Sequence, residues 1–138
     1  MSSCLPDMAD DFVFEEKVKI YDTDAQGVVH YAGYYRFFTD ALESFSSSKL
    51  GETLSEVSKN IWFVVVESNA KYYKPARMGD KLDVHLSYKL LSDKSIRFDF
   101  KIFKSQELVC EGFITQVSID RDEWKTTPIP REILDKLA

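Results

Sequence analysis

The stretch YDTDAQGVVHYAGYYRFF, residues 21–38, sets two carboxylates and a histidine among tyrosine and phenylalanine rings. Carboxylates in such a setting can hold a metal, act as nucleophile or general base, or simply close a turn. The calcium template is the first to fail. Asp22, Asp24, Gln26 and Gly27 suit its early positions, but its last position falls on Gly33, where a bidentate Glu is needed. A strand-like segment also precedes the loop instead of a helix, so no metal site is expected. Asp22 reads as a turn residue that bonds nearby backbone N–H groups. Asp24 stands just ahead of a helix whose first turn is apolar and aromatic. The free N–H groups there, with the helix dipole, can polarise a carbonyl beside a carboxylate able to attack it or activate water. From spacing alone Asp24 is either a turn residue or a catalyst. His30 is either an acid–base group, which its ordinary pKa of ~6.5 suits, or a solvent-facing histidine at the helix entry.

The elements that must position these groups are legible from periodicity. FVFEEKVKI (12–20) is strand-like. Tyr34, Phe37, Phe38, Ala41, Leu42 and Phe45 form an apolar helical stripe within 32–50, with Arg36, Thr39, Asp40, Glu43 and Ser46 on the remaining surface. Residues 52–60 read as a short helix or irregular connection. IWFVVVESNAKYY (61–73), KLDVHLSYKL (81–90), SIRFDFKIFK (95–104) and the run 107–119 are strands, the middle two alternating strictly. PIPREILDKLA (128–138) is a short helix with proline at its start. The order β–α–β–β–β–β predicts an α+β fold with one long helix covered by an antiparallel, hairpin-built sheet. Residues 1–10 are expected to be a mobile tail, and 11–138 a single domain.

Composition narrows the function classes. A net charge of −5 and a pI near 5.0 give no electrostatic footprint for a phosphate backbone, so nucleic acid is not an expected partner. Two cysteines, Cys4 and Cys110, make no disulfide framework or zinc spacing, and Cys110 reads as a buried apolar residue. No signal peptide or membrane span is apparent, which makes a cytoplasmic location the expectation. The continuously apolar run Ile61–Val66 is hard for a single small sheet to hide and points to a homo-oligomer. Glu67 belongs to the outer face or a subunit seam, His85 to the surface, and Lys71, Lys74 and Arg77 to a solvated rim.

At YDTDAQGVVHYAGYYRFF, and again at SNAKYYKPARMGDKLDV (68–84), the chain resembles the 4-hydroxybenzoyl-CoA thioesterase family, in particular its bacterial short acyl-CoA thioesterase branch. The two motifs occur in the family's order, and the resemblance spans Val18 to Ile119. It implies a hotdog fold, in which a five-stranded antiparallel sheet wraps the long central helix, and hydrolysis of an acyl- or aroyl-CoA. CoA would enter as part of the substrate, with no separate cofactor, and the protein would work as a homodimer or homotetramer. By this resemblance Asp24 matches the catalytic carboxylate, and Tyr31 the residue whose backbone N–H meets the thioester carbonyl. Many members of the branch carry Tyr–His where this chain has His30–Tyr31, and some carry tyrosine at the position of Ile20. Phe63 and Val64 fall in the segment that pairs subunits and lines the acyl pocket. Lys94 and Ser95 match a basic turn that contacts the CoA phosphates, although Ser92 and Asp93 before them are not basic. The same fold also hosts enoyl-CoA hydratases, which would use an Asp–His pair, and could serve as a non-catalytic acyl-CoA-binding module. The Asn-Pro context of the hydratase motif is absent.

Overall fold

Strict alternation builds the middle of the sheet. Successive side chains of a strand point to opposite faces, so one apolar set goes inward as a unit. In β3 (Lys81–Leu90) that set is Leu82, Val84 and Leu86, and in β4 (Ser95–Lys104) it is Ile96, Phe98, Phe100 and Ile102, all buried. The computed structural model describes residues 12–51 and 60–137. The expected tail (1–10, with Cys4) and the connection at 52–59 lie outside the described residues.

Besides β3 and β4, the sheet contains β1 (Phe12–Lys17), β2 (Ile61–Tyr72), β5 (Glu107–Asp120) and β6 (Lys125–Thr126). All pairings are antiparallel, in the order β1-β3-β4-β5-β2, with β6 attached to β5. β2 therefore forms one edge of this path, and a bulge between Val65 and Glu67 interrupts its register with β5. Helix α1 (Gly33–Lys49) lies against the inner face, burying Tyr34, Phe37, Phe38, Ala41 and Phe45 of the stripe expected from sequence, with its sixth member Leu42 half-buried. Phe38 stacks on Phe100 with ring centroids 4.6 Å apart. Gly112 makes that contact possible, since a Cβ there would lie 3.0 Å from the Phe38 ring and 2.1 Å from the Asn69 carbonyl oxygen.

Three differences from the sequence expectations have local causes. β1 ends at Lys17 instead of Ile20, because the Asp22 carboxylate accepts the Lys19 N–H at 2.8 Å and curls Ile20–Asp22 into a 3-10 turn. β6 exists because Asp120 Oδ1 accepts the N–H groups of Asp122 (2.9 Å) and Glu123 (3.0 Å), turning the chain back on β5. The C-terminal helix α2 (Arg131–Leu137) starts three residues late. Thr127 and Ile129 donate their N–H groups to Ser118 and Asp93 carbonyls, so the helix can begin only after Pro130. His85 is also no free surface residue: it is half-buried, with its ring edge-on to Phe103 at 4.9 Å.

Candidate active site

A tight hairpin carries Asp24. Thr23 and Val29 pair as an antiparallel bridge, Asp24 N–H donates to the Val28 carbonyl at 2.9 Å, and Gly27 N–H donates to the Asp24 carbonyl at 3.0 Å. Asp24 Oδ1 accepts the Gln26 N–H at 2.8 Å and, more weakly, that of Val28 at 3.4 Å. Among the described residues nothing bonds Oδ2, and the residue is exposed. One oxygen makes the turn and the other is left open, so turn and catalyst are compatible roles. The hairpin is stitched to the loop before β3, where Val29 N–H donates to the Ala76 carbonyl at 2.8 Å and Met78 N–H to the Gly27 carbonyl at 3.2 Å.

The hairpin's return arm runs straight into α1. Tyr31 is two residues beyond the bridge and one before the helix N-cap Ala32, and among the described residues no acceptor meets its N–H. Its ring is exposed, while its carbonyl accepts the Tyr72 hydroxyl at 3.0 Å. Gly33 begins the helix where space is short: a Cβ would stand 2.9 Å from the Val29 side chain and 3.1 Å from the Asp22 carbonyl oxygen.

Asp22 does bond a backbone N–H, that of Lys19, but its larger partner is Arg36. The guanidinium donates to both carboxylate oxygens, Nε to Oδ1 at 2.6 Å and Nη2 to Oδ2 at 2.5 Å. Asp22 is 2% exposed. Burial pushes its carboxyl up, yet the Arg36 fork, the Lys19 N–H and the fields of Arg36 and His30 outweigh burial, and it titrates below the ordinary value. Arg36, expected on open helix surface, is instead drawn between strand and loop, with Nη1 reaching Asp40 at 2.7 Å and Glu16 at 3.4 Å. Glu16 moves the opposite way, raised by burial and by the neighbouring Asp40 carboxylate. His30 is half-buried; its N–H donates to the Asp22 carbonyl at 3.2 Å and its carbonyl accepts Gly33 N–H. Periodicity passed over Arg36 and Tyr72. The signal available for Arg36 was an arginine flanked by Tyr34–Tyr35 and Phe37–Phe38.

The expected substrate residues lie elsewhere. Lys94 and Ser95 sit at the β3–β4 turn, where the Lys94 carbonyl accepts Ser118 N–H at 2.8 Å. Ser118 in turn is opposite Phe63. That end of the sheet is separated from the Tyr72–Tyr31 end by most of β2, about 30 Å at ~3.3 Å per residue. Asp24, His30 and Tyr31 are therefore grouped at one end, and Phe63, Lys94 and Ser95 at the other. Phe63 turns inward, against the cluster of Leu50, Ile129 and Ile133. Its neighbour Val64, opposite Val117, faces outward, so the two do not line one surface of the same chain.

Other candidate chemistry is quiet. Among the described residues no three His, Cys, Asp or Glu side chains gather as a metal site, and no helix is long and apolar enough to cross a membrane. Cys110 is fully buried, its thiol pushed up to about 12 by burial and the field of Glu111. Lys74 and Glu107 pair at 3.6 Å on the exposed rim.

Comparison with known proteins identifies the family. The pattern of the thioesterase-like superfamily matches residues 18–137. A putative esterase of Aquifex aeolicus is 31% identical over 127 residues, covering 91% of this chain and 97% of that protein. The acyl-CoA thioester hydrolase YbgC of Escherichia coli is 27% identical, covering 88% of this chain and 93% of its own length. The crystal structure of a 1,4-dihydroxy-2-naphthoyl-CoA thioesterase from Synechocystis superposes with a TM-score of 0.84 at 25% identity, over 92% of this chain and 95% of that one. A long helix held in an antiparallel sheet, a matched pattern over most of its length and relatives of the same size place this hotdog-fold chain in the thioesterase-like superfamily.

Proposed function

We propose that this thioester-hydrolysing enzyme acts on an acyl- or aroyl-CoA, with Asp24 as nucleophile or general base and the Tyr31 backbone N–H as oxyanion donor. The observation that carries this is the open Oδ2 of Asp24 on a hairpin that leads directly into a helix entry with a free N–H. As base, Asp24 takes a proton from water, and the hydroxide adds to the thioester carbon. As nucleophile, its carboxylate adds directly and a mixed anhydride is then hydrolysed. In both routes the carbonyl oxygen gains negative charge, which the Tyr31 N–H and the helix dipole stabilise. The C–S bond then breaks: in the base route the CoA thiolate takes the proton held by Asp24, and in the nucleophilic route it takes one released by the water that hydrolyses the anhydride and regenerates the Asp24 carboxylate. No metal or cofactor beyond the substrate enters these steps, and His30 is left at most an auxiliary part. The names of the relatives, which act on acyl-CoA and on a dihydroxynaphthoyl-CoA, support the CoA thioester class.

The working unit in this proposal is a homodimer, or a dimer of dimers, joined along β2. That strand is a sheet edge with Trp62, Val65 and Val66 exposed, and an unpaired edge of this kind invites a second strand. Antiparallel two-fold pairing of β2 reverses the chain direction across the seam. It would bring Lys94, Ser95 and Phe63 of the partner subunit toward Asp24, which completes a site one chain leaves divided. Val64 would then flank the seam.

Hydrolysis of a panel of acyl- and aroyl-CoAs, followed with a thiol-trapping reagent, tests the reaction. Asp24→Asn keeps the turn bond and removes the charge, so kcat should fall by ~10²–10⁴-fold, the usual contribution of a positioned base. Near-normal turnover would reduce Asp24 to a turn residue. Sedimentation showing a stable monomer at micromolar concentration would remove the two-subunit site.

A further inference from the structure

We propose that Asp22 and Arg36 are a positioning pair, holding the Asp24 hairpin and the helix entry in the relative placement that thioester hydrolysis requires. The inference rests on the proposed role of Asp24 and adds the groups that aim it. Asp22 is the root of both arms of the site. Going forward, the chain reaches Asp24 in two residues. On the return arm, the Asp22 carbonyl accepts the N–H of His30, the residue before Tyr31, at 3.2 Å. Its carboxylate is bound at both oxygens by the fork of Arg36, in the first turn of α1, and at Oδ2 also by the Lys19 N–H at 2.8 Å. Asp22 thus joins the carboxylate arm, the N–H arm and the helix through one buried side chain and its own carbonyl.

Stability alone is a poor reason for this arrangement. A buried ion pair contributes little net stability, because desolvation opposes the attraction, and apolar side chains of similar volume often do as well. Apolar replacements do not fix direction, whereas a bidentate guanidinium–carboxylate fork fixes both distance and plane. The sheet side of the hairpin already has its own tethers at Ala76 and Arg77. The helix side of the hairpin root has the Asp22–Arg36 pair. A further cost is accepted there, since Glu16 and Asp40 crowd the same guanidinium.

The test compares wild type, Asp22→Asn/Arg36→Met, Arg36→Lys and Asp24→Asn in steady-state hydrolysis of the preferred acyl-CoA, beside thermal melts. The double variant removes the Asp22 and Arg36 charges together, and Glu16→Gln added to it removes the buried carboxylate that would otherwise lose its cation. Its kcat should fall ~10–100-fold, the scale of a misplacement near 1 Å, while KM stays within about twofold and the melting temperature holds. Arg36→Lys keeps the charge and loses the fork, so its kcat should fall in between. If the double variant does not fold, Arg36→Lys decides: a lowered kcat at unchanged melting temperature supports the pair, and wild-type kcat overturns it. A folded double variant with wild-type kcat also overturns it. An inactive Asp24→Asn beside an unimpaired double variant rejects the pair alone. A fully active Asp24→Asn rejects the assignment of Asp24 and the pair's role with it.

Discussion

The Tyr72 hydroxyl donates to the Tyr31 carbonyl at 3.0 Å, joining the end of the edge strand β2 to the entry of α1. The Tyr72 ring also leans on buried Tyr34, with centroids 5.3 Å apart. The strand proposed to pair subunits is thereby coupled to the peptide that follows the proposed oxyanion donor. Tyr72→Phe keeps the ring contact and loses only the hydroxyl. A neutral hydrogen bond contributes about 0.5–1.5 kcal/mol, so kcat should drop by at most ~10-fold with little change in melting temperature. Parallel kinetics and melts of the two forms check this.

Lys94→Ala should raise KM for CoA thioesters and leave kcat nearly unchanged, because a remote phosphate contact binds ground and transition states alike. Pantetheine thioesters, which lack the nucleotide, should show a smaller effect. If the site is shared, Asp24→Asn and Lys94→Ala chains unfolded and refolded together should regain about one quarter of wild-type sites, those in mixed dimers that draw both intact residues from opposite chains. Absence of any gain in kcat/KM over the separate variants would put Lys94 outside the site.

Gly112→Ala should be strongly destabilising for so small a change, since its methyl would meet the Asn69 carbonyl oxygen at 2.1 Å. The obstacle is backbone, which cannot swing aside as a flexible side chain would, and relief requires β2 to part from β5. Phe38→Ala removes a fully buried ring stacked on Phe100 and should cost about 3–5 kcal/mol. Denaturant unfolding at fixed protein concentration measures both, and Gly112→Ala at wild-type stability would contradict the packing described.

The Arg36 cluster makes opposing contributions to acid stability. Asp22 titrates below its ordinary value in the fold, so its contribution is complete above the unfolded carboxyl pKa and is lost as pH falls through the folded one. Glu16 titrates above its ordinary value, so its contribution is present at low pH and is lost as pH rises through its folded pKa. The two partly cancel. Glu16→Gln removes the opposing group, and its unfolding free energy should fall more between neutral pH and about pH 3 than that of the wild type. Urea unfolding across that range provides the measurement, and equal losses would separate Glu16 from the cluster's titration.

Sequence alone determined most of the elements. The period-two runs of β3 and β4 and the stripe from Tyr34 to Phe45 were readable because strand and helix geometry repeat at fixed short spacings, and burial follows those repeats. Spacing alone left Asp24 either a turn residue or a catalyst, and it was the resemblance of its motif to a thioesterase family that singled it out. The ends of elements were less readable, since β1 stops and β6 starts at side-chain-to-backbone bonds from Asp22 and Asp120. Tertiary structure alone decided what meets across long separations. Asp22 and Arg36 lie 14 positions apart, Tyr31 and Tyr72 41 apart, and no short-range pattern encodes either pairing. It also divided residues that sequence had grouped: Lys94 belongs to the opposite end of the sheet from Asp24, because antiparallel hairpins send each turn to alternate ends. Phe63 and Val64 are neighbours in the chain and face opposite ways for the plainest of reasons, the pleat of the strand that carries them.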